Sequence, residues 1–287
     1  MSSITNNKQE KTLPDIESVS KIIEETARDE IVSRFEHLHQ NQIRKKESGE
    51  VVTDADLQSE KKLTKDLTNL VPNSSVLGEE GYYADNSILD RLTDKQPVWI
   101  VDPLDGTRNF SEGIPCFCVI VAYYSNNVTR IGWIYDPLNK KMLVGLKGQG
   151  VWEDGVKLAI DNMKLTISDM NASIGKKRRE YLLQKHTHVN YPKNLKRYRC
   201  LGMEYADIAR GEINFAEYSN KLKPWDHAAG ALIIKESGGL AAYSESGESY
   251  SPVRTSSSDE RLIVSNKVEN WEVVRDYLKD CLGKTPF

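Results

Sequence analysis

This sequence gives little indication of disulfide bonds, a zinc site or a membrane segment. It has only four cysteines, and apart from the close pair Cys116 and Cys118 they are widely spaced. That number and spacing suit neither a disulfide framework nor a tetrahedral zinc site, and the alternation of the pair with apolar residues predicts one face of a buried strand. No stretch approaches the ~18 consecutive apolar residues of a membrane span, and the polar first residues do not resemble a signal peptide. We therefore expect a cytoplasmic protein without a membrane segment.

An excess of charge of one sign is also missing. The 39 basic and 42 acidic residues leave a net charge of −3, which creates no strong field toward nucleic acid or an anionic membrane. Residues 176–199 form one locally basic segment. It favours a solvated helix face and loop over a nucleic-acid interface, because no base-stacking motif accompanies it.

The chain of 287 residues divides into a tail and two halves. Residues 1–13 are polar and predicted to be disordered. Residues 14–163 form a predicted N-terminal α+β half, in which a long amphipathic helix covers about residues 13–42 and a second helix starts near residue 55. Residues 164–287 form a predicted C-terminal α/β half.

Strand and helix patterns alternate through both halves. Three apolar runs separated by polar turns, at residues 117–124, 128–135 and 141–146, predict an antiparallel meander. The later patterns predict strands at 165–169 and 213–219 and helices at 205–212 and 226–237. This alternation predicts a layered α/β architecture of helices and sheets.

The sharpest local signal is WIVDPLDGTRNF, residues 99–110. Its apolar start predicts a buried strand, and Pro103 and Gly106 predict a turn directly after it. Asp102 and Asp105 then lie at the carboxyl end of a strand, where open α/β sheets place their ligands. Two carboxylates aimed at one spot repel each other unless a cation lies between them, and Mg²⁺ is the typical partner where phosphate also binds.

Acidic residues follow apolar segments at three further places. They are Glu79 with Glu80, Asp226 and, more weakly, Asp54 with Asp56. If these side chains meet Asp102 and Asp105, the site contains several carboxylates, which take up protons at such short range unless cations lie among them. Taken one at a time, each acid has a plainer interpretation as a helix cap, a turn residue or a surface charge.

Together these motifs resemble the inositol monophosphatase family of metal-dependent, lithium-sensitive sugar phosphatases. The similar segments are GEE at 78–80, DPLDGTRNF at 102–110, PWDHAAGALIIKESGG at 224–239 and, more weakly, VVTDADLQSE at 51–60. Three short acidic motifs in the right order over about 160 residues are far more specific than any one of them. The resemblance implies an αβαβα sandwich and a homodimer.

The resemblance also implies a centre of two or three Mg²⁺ ions. The residues that would bind them supply carboxylates and one backbone carbonyl: Glu79, Asp102, Leu104, Asp105 and Asp226. Gly106 and Thr107 would hold the phosphate at a helix N-terminus. Glu79 and Thr107 would relay the proton of the attacking water, and Asp56, the third predicted catalytic residue, would lie with Glu80 near the outermost ion.

Substrate recognition is where the chain departs from the family pattern. Met203 stands where the family has a small polar residue, and either Glu217 or Tyr218 falls near its substrate-binding glutamate. The predicted substrate contacts are three polar side chains: Glu204, Tyr218 and Lys221. Glu204 and Tyr218 fit an ordinary helix and an ordinary strand equally well. The family's lysine before the metal loop corresponds to Lys45 or Lys46.

We therefore expect a phosphatase that uses a metal-activated water to hydrolyse a small phosphate monoester. Inositol monophosphate or a related sugar or polyol phosphate is the expected substrate, and fructose-1,6-bisphosphate, histidinol phosphate and a 3′-phosphonucleotide are alternatives on the same fold. A hypothesis of a different class is a binding partner of a nucleic-acid machine, which would dock through basic residues 176–179 and 195–199. The intact set of acids argues against it, since a pure scaffold does not need them.

Overall fold

The computed structural model describes residues 13–158, 165–185, 191–219, 222–254 and 260–282. Within these ranges the strands form a two-stranded hairpin, a sheet of seven strands and a sheet of five. The predicted disordered tail lies outside the described residues except for residue 13, and so does the predicted boundary near residue 163.

Helices and a small hairpin make up the N-terminal part. In chain order they are α1 (Ile16–Thr26), a π-helical turn (Ala27–Ile31), a 3-10 turn (Val32–Arg34), β1 (Ile43–Lys45), β2 (Val51–Thr53) and α2 (Asp54–Leu70). The first helix is therefore shorter than the predicted 13–42, because the helical path ends at Arg34 and Phe35 turns to extended backbone. Thr53 and Asp56 form a capping box, which fixes the start of α2.

The seven-stranded sheet contains the predicted meander. Its strands, neighbours in sequence order, are β3 (Ser75–Gly78), β4 (Val98–Asp105), β5 (Cys118–Ser125), β6 (Val128–Asp136), β7 (Lys141–Leu146), β8 (Gly150–Glu153) and β9 (Val156–Lys157). β3 runs parallel to β4, and every later pair is antiparallel. The crossover from β3 to β4 contains α3 (Glu79–Ala84) and a 3-10 segment (Asn86–Thr93), and α4 (Thr107–Ser111) follows β4.

The C-terminal half contains the five-stranded sheet. Its strands, in spatial order, are β11 (Asn194–Lys196), β10 (Asn171–Ile174), β12 (Phe215–Tyr218), β14 (Leu262–Ser265) and β13 (Leu240–Tyr243). Its helices are α5 (Lys176–Lys185), α6 (Leu201–Arg210), α7 (Pro224–Glu236) and α8 (Val268–Leu282). The strand predicted at 165–169 is wrong, because Ile167–Asp169 is a capped 3-10 turn and the strand follows it. The helix predicted at 205–212 begins four residues earlier, at Leu201.

Three apolar cores show how these elements are layered. One core joins α1 and α2 to one face of the large sheet. A second joins the other face of that sheet to α6, α7 and the small sheet, and a third joins the small sheet to α5 and α8. The order of layers is therefore helix, sheet, helix, sheet, helix, and the predicted αβαβα architecture is confirmed. No helix in the described part of the chain is long and apolar enough to cross a membrane.

Two glycines of the large sheet fix the position of α7. A Cβ atom on Gly132 would lie 2.9 Å from the Cα of Ala229, and one on Gly145 would lie 2.8 Å from the side chain of Ile233. Because neither strand carries a side chain there, α7 packs with its backbone almost on the sheet. This close approach places Asp226, in the first turn of α7, beside the end of β4.

Candidate active site

A cavity of about 510 Å³ lies at the carboxyl ends of β3 and β4 and the start of α7. Its walls include every residue predicted for metal and phosphate binding: Glu79, Asp102, Leu104, Asp105, Gly106, Thr107 and Asp226. Other walls come from the loop before β2, from Tyr83 and Trp225, and from three basic residues, Arg108, Arg199 and Lys223. The fold thus brings together predicted metal-binding residues that are up to 147 positions apart in the sequence, from Glu79 to Asp226.

The turn after β4 is shaped by its own acids and glycine. The pairing of β4 with β5 shifts register between Asp102 and Asp105, and Oδ1 of Asp102 accepts a hydrogen bond of 3.0 Å from the backbone N–H of Leu104. Gly106 has φ +89°, and a Cβ there would lie 2.8 Å from the carbonyl oxygen of Cys116. The position therefore requires glycine for both its backbone angle and its close packing.

Asp56 and Thr107 are joined although 51 residues separate them. Thr107 Oγ1 lies 2.8 Å from Oδ1 of Asp56 and 2.9 Å from the carbonyl oxygen of Leu104. Oδ2 of Asp56 accepts hydrogen bonds from the backbone N–H and hydroxyl of Thr53, at 2.8 and 2.6 Å. Burial nevertheless raises the pKa of Asp56 to about 7, since these donors compensate only part of its lost hydration.

The carboxylates around the cavity are desolvated and repel one another. Burial raises the pKa of Asp102 and that of Asp226 well above the usual range. The charges of neighbouring acids raise both pKa values further. Burial also raises the pKa of Glu79, against the opposing effect of Lys46, and that of Asp105, against its hydrogen bonds. Such a group is unstable as four bare anions, and a cation among them would remove the penalty.

Lys46, not Lys45, is the lysine that reaches the acids. Its Nζ lies 2.7 Å from Oε1 of Glu79, 2.8 Å from Oε1 of Glu80 and 4.0 Å from the ring centre of Tyr83. Although burial opposes its charge, the two carboxylates raise the pKa of Lys46 above its usual value. Burial raises the pKa of Glu80 to about 8, and the charge of Lys46 limits that rise.

Glu60 is a residue of the site that sequence analysis missed. Its carboxylate accepts hydrogen bonds from the backbone N–H groups of Glu80 and Gly81, at 2.8 and 2.7 Å, and so caps α3. A Cβ on Gly78 would lie 2.3 Å from this carboxyl group. Glu60 lies on α2 among other charged residues, and no signal in the sequence separates it from an ordinary solvated helix face.

Three groups that the sequence did not indicate donate hydrogen bonds to the carboxylate of Asp105. Its Oδ2 accepts hydrogen bonds from the N–H of Gly202 at 2.6 Å, the thiol of Cys200 at 3.2 Å and the thiol of Cys118 at 3.7 Å. Asp105, Cys118 and Cys200 bring their oxygen and sulfur atoms within 4.8 Å of one another. Burial raises the pKa of Cys118 to about 12 and that of Cys200 well above its usual value. Burial thus favours the neutral form of both thiols, which donate hydrogen bonds to Asp105.

Two of the predicted substrate contacts, Glu204 and Tyr218, do not line the cavity. Glu204 is buried on α6, where its carboxylate accepts a hydrogen bond of 2.7 Å from the hydroxyl of Ser173, and burial raises its pKa to about 7. Tyr218 stacks on Tyr205 at a ring-centre distance of 5.6 Å. Glu217 forms a buried ion pair with Arg178. Lys221 lies outside the described residues.

His227, next to Asp226, is part of the packing behind the cavity. Its Nδ1 lies 2.9 Å from the hydroxyl of Tyr205, and its ring also contacts Tyr218 and Tyr250. Burial lowers the pKa of His227 to about 3, so the imidazole is neutral at physiological pH. Its contacts are with the aromatic side chains packed behind the start of α7.

Comparison with known proteins agrees with this arrangement. The sequence profile of the Inositol monophosphatase family matches residues 14–280. A fructose-1,6-bisphosphatase/inositol-1-monophosphatase of Thermotoga maritima is 26% identical over 237 residues, which is 79% of this chain and 82% of that protein. The Nus factor SuhB of Haemophilus influenzae is 29% identical over 204 residues, which is 69% of this chain and 74% of that protein.

A solved structure of an IMPase/NADP phosphatase complexed with Mg²⁺ and phosphate superposes with a TM-score of 0.72 at 21% identity. The match covers 89% of this chain and 90% of that one, and at this identity it shows the fold. The family profile, by contrast, spans both halves of the chain and all of the acidic motifs around the cavity. The chain therefore belongs to the inositol monophosphatase family and is a phosphatase of that type.

Proposed function

We propose that this phosphatase hydrolyses a small sugar or polyol phosphate monoester with the help of Mg²⁺. The observation that carries the proposal is the convergence of Glu79, Asp102, Asp105 and Asp226 on one cavity although burial and mutual repulsion oppose it. A set of buried carboxylates without enough basic partners is what a hard divalent cation stabilises. The complex of the related IMPase/NADP phosphatase with Mg²⁺ and phosphate supports the same conclusion.

The donor set fits Mg²⁺ in its chemistry. Carboxylate and carbonyl oxygens are the ligands that Mg²⁺ and Ca²⁺ prefer, and they are the donors that these residues bring to the cavity. The residues that would hold two or three ions are those implied by the motifs: Glu79, Asp102, the carbonyl of Leu104, Asp105 and Asp226. When bound, Mg²⁺ lowers the pKa of a coordinated water and neutralises charge on the phosphate oxygens.

The chain's own residues orient the water and the phosphate. Thr107 Oγ1 lies 2.8 Å from Oδ1 of Asp56, so in the proposed relay its hydroxyl donates to that carboxylate and accepts a proton from the attacking water. Glu79 lines the same cavity and is the second member of this relay. The N–H groups of Gly106 and Thr107 would hold the phosphate at the start of α4.

The basic rim favours an anionic substrate but does not select its alcohol. Arg108, Arg199 and Lys223 line a cavity whose other charged wall residues are all acidic. Inositol monophosphate is the first substrate to test, and fructose-1,6-bisphosphate is supported as an alternative by the name of the Thermotoga relative. Histidinol phosphate and a 3′-phosphonucleotide complete the panel.

Release of inorganic phosphate from this panel, with Mg²⁺ and with EDTA, tests the proposal. We expect activity that requires Mg²⁺ and is lost in Asp102→Asn and Asp226→Asn. Asp54→Asn is the matched control, because Asp54 pairs with Arg44 outside the cavity. Full turnover in EDTA, or equal turnover of all three variants, contradicts the proposal.

A role in a nucleic-acid machine is the other candidate, and the name of the Haemophilus relative brings it forward. Within the basic segment, however, Arg178 is buried against Glu217, and Arg199 lies 2.8 Å from a carboxylate oxygen of Glu112. This pairing reduces the charge available to phosphates. Salt-sensitive retention on RNA at physiological ionic strength would favour the binding role.

We also propose a homodimer in the cytoplasm, on the resemblance to the family. Light scattering after size-exclusion chromatography gives the mass of the assembly in solution. A mass of one chain, 32.5 kDa, would contradict the dimer.

A further inference from the structure

Two arginines lie together at one corner of the cavity. Arg108 and Arg199 both line it, and they come from different elements, α4 and the segment before α6. Nε of Arg108 lies 3.3 Å from Oε1 of Glu112, and Nη2 of Arg199 lies 2.8 Å from Oε2 of the same residue. One carboxylate therefore bridges two guanidinium groups. Glu112 is not among the residues that line the cavity, and the corner keeps a net positive charge.

Arg199 has an unusual backbone conformation. Its φ of +57° lies in the left-handed region, which is costly for a residue with a Cβ atom. Such a conformation persists only where the surrounding structure imposes it, and it is most frequent at active sites and ligand-binding positions. The backbone angle of Arg199 therefore indicates a binding residue more than an ordinary surface arginine.

Hydrogen bonds on both sides of Arg199 fix its segment. Nδ2 of Asn109 in α4 donates a hydrogen bond of 2.8 Å to the carbonyl oxygen of Tyr198. On the other side, the backbone N–H of Gly202 donates a hydrogen bond of 2.6 Å to Oδ2 of Asp105. The segment is thus tied both to α4, which carries the other arginine, and to a predicted metal ligand. The position of Arg199 relative to the acids is set by the fold.

Lys223, the third basic residue of the cavity, has a different environment. Its Nζ lies 4.0 Å from the ring centre of Tyr82 and 5.3 Å from that of Trp225. Two aromatic rings therefore hold this ammonium group at the start of α7, three residues before Asp226. Arg108 and Arg199 are the basic wall residues that remain for a group at some distance from Asp226.

A substrate with two phosphate groups needs two kinds of binding site in this cavity. In the proposed reaction, the cations of the acidic cluster neutralise the phosphate that reacts. The same carboxylates repel a second phosphate, which therefore needs positive charge elsewhere, and guanidinium groups bind phosphate through paired hydrogen bonds. The cavity of about 510 Å³ has the size of a small-molecule site, about 300–1,000 Å³, so it has room beyond the reacting phosphate.

We propose that Arg108 and Arg199, bridged by Glu112, bind a second phosphate group of the substrate, so that the enzyme prefers a sugar or polyol bisphosphate to the matching monophosphate. This inference rests on the proposed phosphatase function. The preference concerns the second charge and not the carbon skeleton of the alcohol. The side chains of Arg108 and Arg199 are 70% and 29% exposed, so solvent weakens each contact and the preference requires both.

Binding without turnover tests the proposal. Isothermal titration calorimetry with Ca²⁺ in place of Mg²⁺ gives the Kd of fructose-1,6-bisphosphate and that of fructose 1-phosphate, which differ only in the second phosphate. A phosphate assay shows that the ligands stay intact, and if phosphate is released the same ratio is taken from the KM values. The variant is the full chain with Arg108→Gln and Arg199→Gln together. Arg130→Gln is the matched control, because Arg130 lies on β6 and does not line the cavity.

We expect the wild type and Arg130→Gln to bind the bisphosphate about 10-fold more tightly than the monophosphate. The double variant should bind the two ligands within about two-fold of each other. Arg108→Gln alone, at an exposed position that folding does not require, should lose part of the preference.

Three results would each overturn the proposal: equal Kd values for the two ligands in the wild type, no binding of the bisphosphate, or an unchanged preference in both arginine variants. The calorimetry does not depend on turnover. A protein that binds the bisphosphate with this preference but releases phosphate from no ester in Mg²⁺ would therefore refute the phosphatase function and leave the arginine subsite standing.

Discussion

The two sides of the cavity are built in different ways. On one side, the end of a single strand and the turn after it supply two acids, the carbonyl of Leu104, and Gly106 with Thr107. On the other side, Arg199 comes from the segment before α6, and Lys223 and Asp226 come from the start of α7. Glu204 and Tyr218, which lie between them in the sequence, are not among the residues that line the cavity. The side that carries Asp102 and Asp105 is thus encoded locally in the sequence, whereas the other side depends on how distant elements pack.

Among variants that keep all the proposed metal ligands, the largest loss of activity is expected on the side built from residues 102–107. Thr107→Ala removes the hydroxyl between Asp56 and the attacking water, and we expect kcat to fall roughly 100-fold or more, as for loss of a proton-relay group. Thr107→Ser should recover most of the activity. Steady-state phosphate release measures both, with Thr68→Ala on α2 as a control outside the cavity. Equal kcat values for Thr107→Ala and Thr68→Ala would remove Thr107 from the mechanism.

The next largest effect is expected from Gly78→Ala, which disturbs the packing of β3 on Glu60. Gly78→Ala places a methyl group 2.3 Å from the carboxyl carbon of Glu60, which must then leave the N–H groups that it caps. We expect a loss of about 1–3 kcal/mol in the free energy of unfolding, as for other overpacked sites, and a weaker response to Mg²⁺. Urea denaturation measures the first quantity.

Gly175→Ala is the matched control for this change, because a Cβ on Gly175 meets nothing within 4 Å. If the two alanine variants unfold at the same urea concentration, the close packing of Gly78 on Glu60 is not a feature of the folded protein.

The smallest change in kinetic constants is expected at Arg199, on the side formed by residues 199–226. Arg199 lies on the rim and is 29% exposed, with Glu112 as its partner, so its attraction for a phosphate is weakened by solvent. We expect Arg199→Gln to raise the KM for inositol monophosphate about two-fold to five-fold without changing kcat. Arg130→Gln, outside the cavity, is the control. A fall in kcat with unchanged KM would show that Arg199 acts in the chemical step. That result would contradict the proposed difference between the two sides of the cavity.

The contrast also explains what could be predicted from sequence. The acids of residues 79–105 and Asp226 follow apolar runs or start a helix, so periodicity and turn residues place them at element ends, and the order of the motifs indicates that they meet. Glu60, Gly202 and the thiols act through contacts between elements distant in sequence, and their local patterns are those of ordinary helix and strand residues. Glu204 was predicted as a substrate contact from its place in the segment where the family recognises its substrate, and a helical pattern does not reveal that its carboxylate bonds to Ser173.

The sequence left Lys45 and Lys46 undecided for a similar reason. The two residues are adjacent at the end of β1, and only the turn of the hairpin decides which one points to the acids. The length of the first helix also depended on tertiary structure. Its apolar spacing continues beyond Arg34, but the chain there leaves the helix to reach the hairpin beside α2.

Thermal melting against pH, in EDTA and in Mg²⁺, tests most directly whether the buried acids are a cation site. Folding raises the pKa of Asp56 from 3.8 to about 7 and that of Glu80 from 4.5 to about 8. The folded protein therefore binds more protons than the unfolded chain between these values, so its stability falls as pH rises through this window. In EDTA we predict a lower Tm at about pH 8 than at about pH 5, and Mg²⁺ should reverse that loss at pH 8 in wild type and Asp54→Asn but not in Asp102→Asn. A Tm in EDTA that does not fall with pH, or one that Mg²⁺ leaves unchanged at pH 8, would contradict the account.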